Sequence, residues 1–145
     1  ETVTHVFIMI DMDNFKKVND TLGHGEGDVV LSKTAELFTK MLGADSVIGR
    51  VGGDEFAVYR KFTGWTLESV RKKMEFELRL LAEDFTRTIS KQYTECNLSL
   101  SAGVYIVDGE NSSDYESMMK KADTALYKSK RNGKSQYSWF VENQD

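Results

Sequence analysis

Two spacings of apolar residues alternate along the chain, and together they predict a mixture of strands and helices. Val6 to Ile10 are continuously apolar and end at Asp11, which is typical of a buried central strand. Apolar residues recur three and four positions apart over longer stretches, which predicts amphipathic helices at about 28–42, 66–90 and 113–130. Short apolar runs predict further strands at 47–51, 55–59, 97–107 and 136–141.

Glycines lie between several of these elements. Three of them, Gly23, Gly25 and Gly27, fall within the polar stretch 11–28, which we expect to be an irregular loop. Gly43 is placed to end the first predicted helix, since a glycine tolerates the backbone of a helix C-terminus.

A Gly-Gly pair sits between the second and third predicted strands. Such a pair predicts a hairpin whose turn has positive φ, here at Gly52 and Gly53. The full predicted order is β-α-β-β-α-β-α-β, and its first six elements match the split βαβ, ferredoxin-like arrangement. We therefore expect an α+β fold, with an antiparallel central sheet and flanking helices.

Length, composition and charge exclude several classes of protein. The 145 residues suit one domain, 1–145, and 40% hydrophobic residues are enough for a core. A net charge of −4 argues against a nucleic-acid polymer as partner, and no apolar run approaches a membrane span. One cysteine and two histidines favour a reducing, cytoplasmic setting without a zinc cluster. Because the chain opens at Glu1, we expect a domain cut from a longer protein, whose membrane anchoring the sequence leaves open.

Four acids occupy the ends of two predicted strands. Asp11 and Asp13 end the first strand, and Asp54 and Glu55 follow the glycine pair. In a split βαβ sheet the first strand sits beside the hairpin, so these acids would converge at one edge of the sheet. Carboxylates so placed are ligands that Mg²⁺ prefers, with its other positions left for water and phosphate. The alternative is that they are solvated turn residues.

Three ordered blocks of sequence carry a family resemblance. Residues 50–56 read R-V-G-G-D-E-F, residues 11–28 read D-M-D-N-F-K-K-V-N-D-T-L-G-H-G-E-G-D, and residues 122–130 read A-D-T-A-L-Y-K-S-K. The chain resembles, over residues 6–137, the GGDEF catalytic domain of diguanylate cyclases. The resemblance implies condensation of two GTP into cyclic di-GMP and two pyrophosphates, on a fold related to nucleotide cyclases and polymerase palms.

The resemblance assigns the acids to catalysis. It implies that Asp11 and Asp54 bind two Mg²⁺ (or Mn²⁺) ions, with the Met12 carbonyl as a backbone ligand and Glu55 beside the same ions. A base for the attacking 3′-hydroxyl is then Asp54 or Glu55, and the sequence does not choose between them. Gly52 and Gly53 lack side chains, which allows a nucleotide to lie against the backbone.

Other positions match the family's nucleotide contacts. Asn19 and Asp28 match the guanine-reading pair, although Asp28 also opens a predicted helix and could instead be its N-cap. The family's phosphate contacts correspond to Asn14, Phe15, Lys16, Lys130 and Lys134. Lys134 replaces a usual arginine, which keeps the charge but loses the bidentate fork.

Partners and regulation also follow from the resemblance. It implies a homodimer in which each copy holds one GTP, and a preceding sensor or regulatory domain. The family's leading helix before the first strand is absent from this sequence. The inhibitory product motif, R-x-x-D, is missing too, because the matching window from Gly43 to Ser46 has no arginine.

Two alternatives belong to other classes. One is a catalytically silent GGDEF module that binds GTP or a protein and regulates an attached domain. The other is a mononucleotide cyclase or polymerase palm, which the three blocks make less favourable. Product analysis with GTP and Mg²⁺ separates all three.

Overall fold

The predicted strands form one five-stranded sheet in a computed structural model that describes residues 2–43 and 45–142. Their order across the sheet is β2-β3-β1-β4-β5. Neighbours pair antiparallel except β4 and β5, which are parallel. The strands are β1 (Val3–Asp13), β2 (Val47–Arg50), β3 (Glu55–Thr63), β4 (Ser99–Asp108) and β5 (Tyr137–Trp139).

Four α-helices and two 3₁₀ segments connect these strands in the described part of the chain. The helices are α1 (Phe15–Leu22), α2 (His24–Leu42), α3 (Leu67–Thr88) and α4 (Tyr115–Arg131), and the 3₁₀ segments are Ser90–Cys96 and Gly109–Asn111. No helix among residues 2–43 and 45–142 combines the length and the apolar character that a membrane span requires. The predicted α+β class is confirmed, with a mostly antiparallel sheet.

The central strand β1 divides the core between the two faces of the sheet. Ile8 and Ile10 point into the larger cluster, which α2 and α3 complete. Phe7 and Met9 point to the opposite face, where α4 covers them with side chains such as Met118. Because successive side chains of a strand point to opposite faces, a strand buried on both must be apolar throughout, as the Val6–Ile10 run is.

The polar stretch 11–28 was predicted to be an irregular loop, and this prediction is wrong. It contains α1, and α2 begins at His24 rather than at Asp28. Glycine is a poor helix former, which hides this helix start in the sequence. The reason for the glycine at 27 is tertiary, because a Cβ there would lie 1.9 Å from Asn19 Oδ1 and 3.3 Å from the ring of Phe15.

The hairpin is present, but its turn differs from the prediction. The connection between β2 and β3 comprises residues 51–54, and the Val51 N–H donates to the Glu55 carbonyl at 2.9 Å. Neither Gly52 nor Gly53 has positive φ. A four-residue connection needs no left-handed pair, unlike the two-residue turn that the glycines suggested.

Helix ends follow ordinary capping chemistry. Thr66 caps α3 through a reciprocal pair of hydrogen bonds with Ser69, and Asp114 caps α4 by accepting from the Ser117 N–H. Gly43 ends α2 with φ 88°, as predicted. Two apolar residues at the starts of α3 and α4, Leu67 and Tyr115, are exposed rather than part of the core.

Candidate active site

The junction of β1 and β3 brings three of the predicted acids together. Asp11 is the backbone partner of Glu55 in the antiparallel ladder. Beyond this pair, the Met12 N–H donates to the carbonyl of Asp54, the residue that precedes β3, at 3.2 Å. The positions of Asp11, Asp54 and Glu55 are therefore set by the register of the sheet.

Asp11 is the most constrained of these acids. Its carboxylate is buried, and Oδ2 forms an ion pair with Lys130 Nζ from α4. The other oxygen, Oδ1, has no hydrogen-bond partner in the described part of the chain. The pKa of Asp11 is raised to about 6, with burial as the largest cause; the contacts with Lys130 lower it and the negative charge of Asp54 raises it.

The charge around Asp11 also affects its neighbours. The pKa of Glu55 is raised by burial first, and then by the negative charges of Asp11 and Asp123. Burial lowers the pKa of Lys130, but the hydrogen bond to Asp11 and nearby carboxylates outweigh this and raise it. The site thus has more negative charge than Lys130 alone compensates.

Asp13, the fourth acid at these strand ends, has a different environment. It is buried and accepts hydrogen bonds from the Ser99 and Ser101 hydroxyls at 2.7–2.8 Å. The Ser135 N–H donates to it at 3.1 Å, and Lys130 Nζ lies 3.6 Å away. With these partners Asp13 fixes the loop after α4 to the sheet, and it is not a free acid of the site.

The donor set suits a divalent cation, although the side chains are not arranged as a ligand cluster. No group of three or more His, Cys, Asp or Glu residues within 2–43 and 45–142 is placed to hold a metal ion. The unpartnered Asp11 Oδ1 and the adjacent Asp54 supply hard oxygen donors, and the uncompensated charge favours a cation there.

The predicted guanine-reading residues lie on the α1–α2 pair. Asn19 is half-buried on α1, and its amide oxygen lies against the backbone of Gly27 on α2. Asp28 is exposed and is the fifth residue of α2, so the N-cap alternative is wrong. It lines one end of a groove of ≈ 520 Å³ between α2 and the β2–β3 hairpin, where Arg50 also lies.

The residues predicted to hold phosphates occupy the turn from β1 into α1. Asn14 adopts a left-handed conformation with φ 67°, and its side chain donates to the Asn97 carbonyl at 2.8 Å. Phe15 packs in the core, which leaves only its backbone for a ligand. Lys16 is exposed and pairs with Asp20 at 3.3 Å, a surface contact of little energetic weight.

The remaining predicted contacts lie in exposed connections of the chain. Lys134 is exposed in the loop after α4, one residue before the Ser135 N–H that binds Asp13. Gly52 and Gly53 are exposed, and a Cβ at Gly52 would approach Glu55 Oε1 to 3.0 Å. In the window from Gly43 to Ser46, Gly43 ends α2 and Asp45 is exposed, while Ala44 lies outside the described residues.

Two residues that shape the site were missed in the sequence. Gly27 lets α1 and α2 approach each other. Gly103 on β4 lets α4 lie directly on the sheet, since a Cβ there would be 2.1 Å from the Ala122 carbonyl oxygen and the Leu126 nitrogen. A glycine inside a predicted strand was the available signal for such an approach. By setting the depth of α4, Gly103 also sets the position of Lys130.

The five-stranded, mostly antiparallel sheet and its flanking helices define an α+β domain with the fold of solved cyclase domains. More specifically, the chain belongs to the GGDEF domain family. The family described as "Diguanylate cyclase, GGDEF domain" matches residues 1–136. The resemblance read from the three sequence blocks is therefore confirmed.

Relatives within the family differ in the activity for which they are named. Over 135 residues the chain is 34% identical to "Cyclic di-GMP phosphodiesterase PdeR" of Escherichia coli (strain K12), covering 92% of this chain and 19% of that protein. It is 39% identical over 132 residues to "Probable diguanylate cyclase DgcI" of the same organism, covering 90% and 26%. The chain thus spans about a quarter or less of these curated relatives.

A solved structure is also similar. The active GGEEF domain of a diguanylate cyclase from Vibrio cholerae superimposes with a TM-score of 0.73 at 30% identity, covering 97% of this chain and 85% of that one. The likeness therefore extends across nearly the whole domain.

Proposed function

We propose that this domain is a diguanylate cyclase, which condenses two GTP into cyclic di-GMP and two pyrophosphates. The observation that carries the proposal is the convergence of Asp11, Asp54 and Glu55 at one sheet edge, with an unpartnered carboxylate oxygen on Asp11. Membership of the GGDEF family supports it, as does the similarity to the Vibrio cholerae domain named as active.

Each half of the reaction is one phosphoryl-transfer step. The 3′-oxygen of one GTP forms a bond to the α-phosphorus of the other, the bond from that phosphorus to the bridging oxygen breaks, and pyrophosphate leaves. The 3′-hydroxyl proton passes to Asp54 or Glu55. The raised pKa of Glu55 suits a base. The second half repeats the step with the nucleotides exchanged, which closes the ring.

Asp11, Asp54 and the Met12 carbonyl would hold the metal ions, with Glu55 beside them. Mg²⁺ or Mn²⁺ bound there would neutralise the triphosphate, polarise the α-phosphorus and lower the pKa of the attacking hydroxyl. Lys130 would also bind the phosphates of the nucleotide. Its ammonium, paired with Asp11 in the structure, would exchange that partner for a phosphate oxygen when nucleotide binds.

The α1–α2 pair would select guanine over adenine. The Asp28 carboxylate can accept from the N1–H and the 2-amino group of guanine, and Asn19 would add a further polar contact. Adenine offers no such pair of donors. The exposed Lys16 and Lys134, and the backbone of Asn14 and Phe15, would hold the β- and γ-phosphates.

The reaction needs two copies of the chain. Each copy carries one set of acids and one guanine-reading pair, so it positions one GTP. Two copies facing each other antiparallel would bring each 3′-hydroxyl to the other α-phosphate. A preceding regulatory segment would raise the local concentration of the two copies.

A silent GGDEF module is the second candidate. The observation in its favour is the match to a relative named as a phosphodiesterase, of which this region is 19%. In such a protein the domain would bind GTP and regulate its neighbour. With Asp11, Asn19, Asp28, Asp54 and Glu55 all present, we favour the enzyme.

One experiment separates the candidates. The domain is incubated with GTP and Mg²⁺ over a hundredfold range of protein concentration, and the products are resolved by chromatography. We expect cyclic di-GMP and pyrophosphate in a ratio of about one to two, with a rate that rises more steeply than linearly because the reaction needs two copies. GTP binding without product would indicate a silent module, and cyclic GMP a mononucleotide cyclase. Constant specific activity on dilution would contradict the dimer.

A further inference from the structure

The helical pair that carries Asn19 and Asp28 is tied to the segment that follows α3. This segment, Ser90–Cys96 with the adjoining Asn97, makes side-chain hydrogen bonds with α2 and with Asn14, the residue before α1. Asn14 Nδ2 donates to the Asn97 carbonyl at 2.8 Å, the Tyr93 hydroxyl donates to Glu26 Oε2 at 3.0 Å, and Lys33 Nζ donates to Gln92 Oε1 at 3.1 Å. The first bond holds the residue before α1, the second holds the start of α2, and the third holds α2 further along its length.

Tyr93 is the buried member of this set. Its side chain packs in the main core and is 7% exposed, whereas the other two bonds are exposed to solvent. Its backbone, at φ −134° and ψ 50°, interrupts the helical turns of Ser90–Cys96. Burial raises the pKa of the Tyr93 hydroxyl, and the hydrogen bond to Glu26 adds to this, so the hydroxyl stays a donor.

Glu26 lies in the first turn of α2, two residues before Asp28. The start of that turn has no side-chain cap, because Gly23 is the N-cap residue. Gly25 has nothing within 4 Å of its Cβ position, so no packing at that residue fixes the turn. A hydrogen bond to a charged carboxylate is among the stronger side-chain contacts, so the Tyr93–Glu26 bond is a main restraint on this turn.

We propose that Tyr93 is a positioning residue for purine recognition, acting through Glu26 on the first turn of α2, which leads directly into Asp28. The inference rests on the proposed function, since it assumes that Asp28 and Asn19 read guanine. Among the described residues, the Tyr93 side chain forms no hydrogen bond with the acids of the sheet edge or with Lys130, and its hydroxyl donates to Glu26. Its hydroxyl therefore affects how well the base is bound, and the metal-assisted step once GTP is bound is independent of it.

The chain provides a matched control for removing this hydroxyl. Tyr105 is also buried, at 5% exposed, and its hydroxyl also donates to a glutamate, Glu142, at 3.0 Å. It lies in the cluster on the other face of the sheet, under α4. Tyr93→Phe and Tyr105→Phe thus each remove a buried hydroxyl that donates to a glutamate, one near the base-reading pair and one away from it; the Tyr105 hydroxyl also lies 3.5 Å from Lys121 Nζ.

The experiment measures KM and kcat for GTP, equilibrium binding of GTP by calorimetry, and the binding of inosine triphosphate, which lacks the 2-amino group. For Tyr93→Phe we expect a roughly tenfold loss of GTP affinity, in line with a hydrogen bond to a charged group. We expect kcat at saturating GTP within twofold of the wild type, and a smaller preference for GTP over inosine triphosphate. Tyr105→Phe should leave these quantities unchanged.

Substitutions at Glu26 test whether Tyr93 acts through it. Glu26→Gln keeps an acceptor oxygen and should retain GTP affinity within about threefold, as expected for a neutral bond in place of a charged one. Glu26→Ala should match Tyr93→Phe, and the double variant should lose no more than either. Hydrogen exchange of the amides at 23–29 should become faster in Tyr93→Phe and not in Tyr105→Phe.

Several results would overturn the inference. Unchanged GTP affinity in Tyr93→Phe would do so, whether or not exchange at 23–29 becomes faster. So would equal affinity losses in Tyr93→Phe and Tyr105→Phe, which indicate general destabilisation, or a loss confined to kcat. If the wild-type domain binds GTP without turning it over, the cyclase proposal fails, and the calorimetric comparison still decides the role of Tyr93. If the wild type binds no GTP, both proposals fail together.

Discussion

The acids at the sheet edge are held by backbone pairing, whereas the predicted base-reading residues are held by contacts between side chains. Asp11 and Glu55 are ladder partners, and the strand that carries Asp11 is bonded on both sides, to β3 and to β4. Asn19 and Asp28 lie on helices outside the sheet. Their separation depends on the contact at Gly27 and on the Tyr93–Glu26 hydrogen bond.

This difference determines how each region responds to a substitution. A shift of the acids requires breaking a ladder buried on both faces, so only a change in an acid itself, or in an element packed on the sheet, should disturb them. The α1–α2 pair can move when a single methyl group or hydroxyl changes. We therefore expect substitutions of the acids at the sheet edge to abolish turnover, and substitutions in the α1–α2 pair to change nucleotide affinity by smaller steps.

The largest expected effect is the loss of turnover when one of the acids proposed to bind metal is removed. Asp54→Ala should lower the rate of cyclic di-GMP formation by about a thousandfold, since the charge stabilisation a metal supplies is worth several kcal/mol. Stability should change little, because Asp54 is not fully buried. Rates at saturating GTP and Mg²⁺, together with a thermal unfolding curve, check both statements.

Asp123→Asn is the control for this substitution. Asp123 adds negative charge near Glu55 from α4, but it is not at the strand ends. If metal binding is the role of Asp54, the control should retain most of the activity. A comparable loss in both variants, or more than a few per cent of activity left in Asp54→Ala, would contradict the assignment.

A second effect should come from moving α4 relative to the sheet. Gly103→Ala places a methyl group 2.1 Å from backbone atoms of α4, which cannot rotate away, so α4 must shift. We expect a loss of about 1–3 kcal/mol in the free energy of unfolding, as for other overpacked cores. Activity should fall as well, because Lys130 moves with α4.

Gly49→Ala provides the comparison. Gly49 is also a strand glycine, but nothing lies within 4 Å of its Cβ position. Its stability should stay within about 0.5 kcal/mol of the wild type. Chemical unfolding of the two variants measures the difference, and equal stabilities would show that the close approach at Gly103 is not needed.

The sheet and its acidic edge could largely be predicted from the sequence. Val6–Ile10 has the continuous apolar pattern of a doubly covered strand, and the hairpin beside it follows from the split βαβ order. Those two facts place Asp11 next to Asp54 and Glu55. The local spacing of residues was enough here because strand pairing transmits position through the backbone.

The α1–α2 pair was harder to predict from the sequence, because its structure depends on contacts between residues far apart in the chain. Asn19 and Phe15 pack against the backbone of Gly27 and leave no room for a side chain there, whereas three glycines favour a loop when judged locally. Asp13 looked equivalent to Asp11, yet it binds Ser99, Ser101 and the Ser135 N–H. No local pattern shows which of two alternating acids has such partners.

The smallest expected effect tests whether the helix contact at Gly27 matters for base recognition. In Gly27→Ala the new methyl group would lie 1.9 Å from Asn19 Oδ1, the end of a flexible side chain, so Asn19 should rotate while the fold persists. The higher helix propensity of alanine, up to about 1 kcal/mol, offsets part of the cost. We expect GTP affinity to fall roughly tenfold, equivalent to one polar contact, with stability within about 1 kcal/mol of the wild type.

Gly25→Ala makes the same change two residues earlier in α2, where nothing lies within 4 Å of the Cβ position. Its stability should rise by about 0.5–1 kcal/mol, because alanine restricts the unfolded chain, while GTP affinity stays unchanged. Calorimetric titration of GTP into both variants gives the comparison. A similar loss in both would mean that flexibility of the turn, rather than the position of Asn19, governs recognition. Unchanged affinity in Gly27→Ala would remove Asn19 from the guanine site and leave Asp28 as the residue that selects the base.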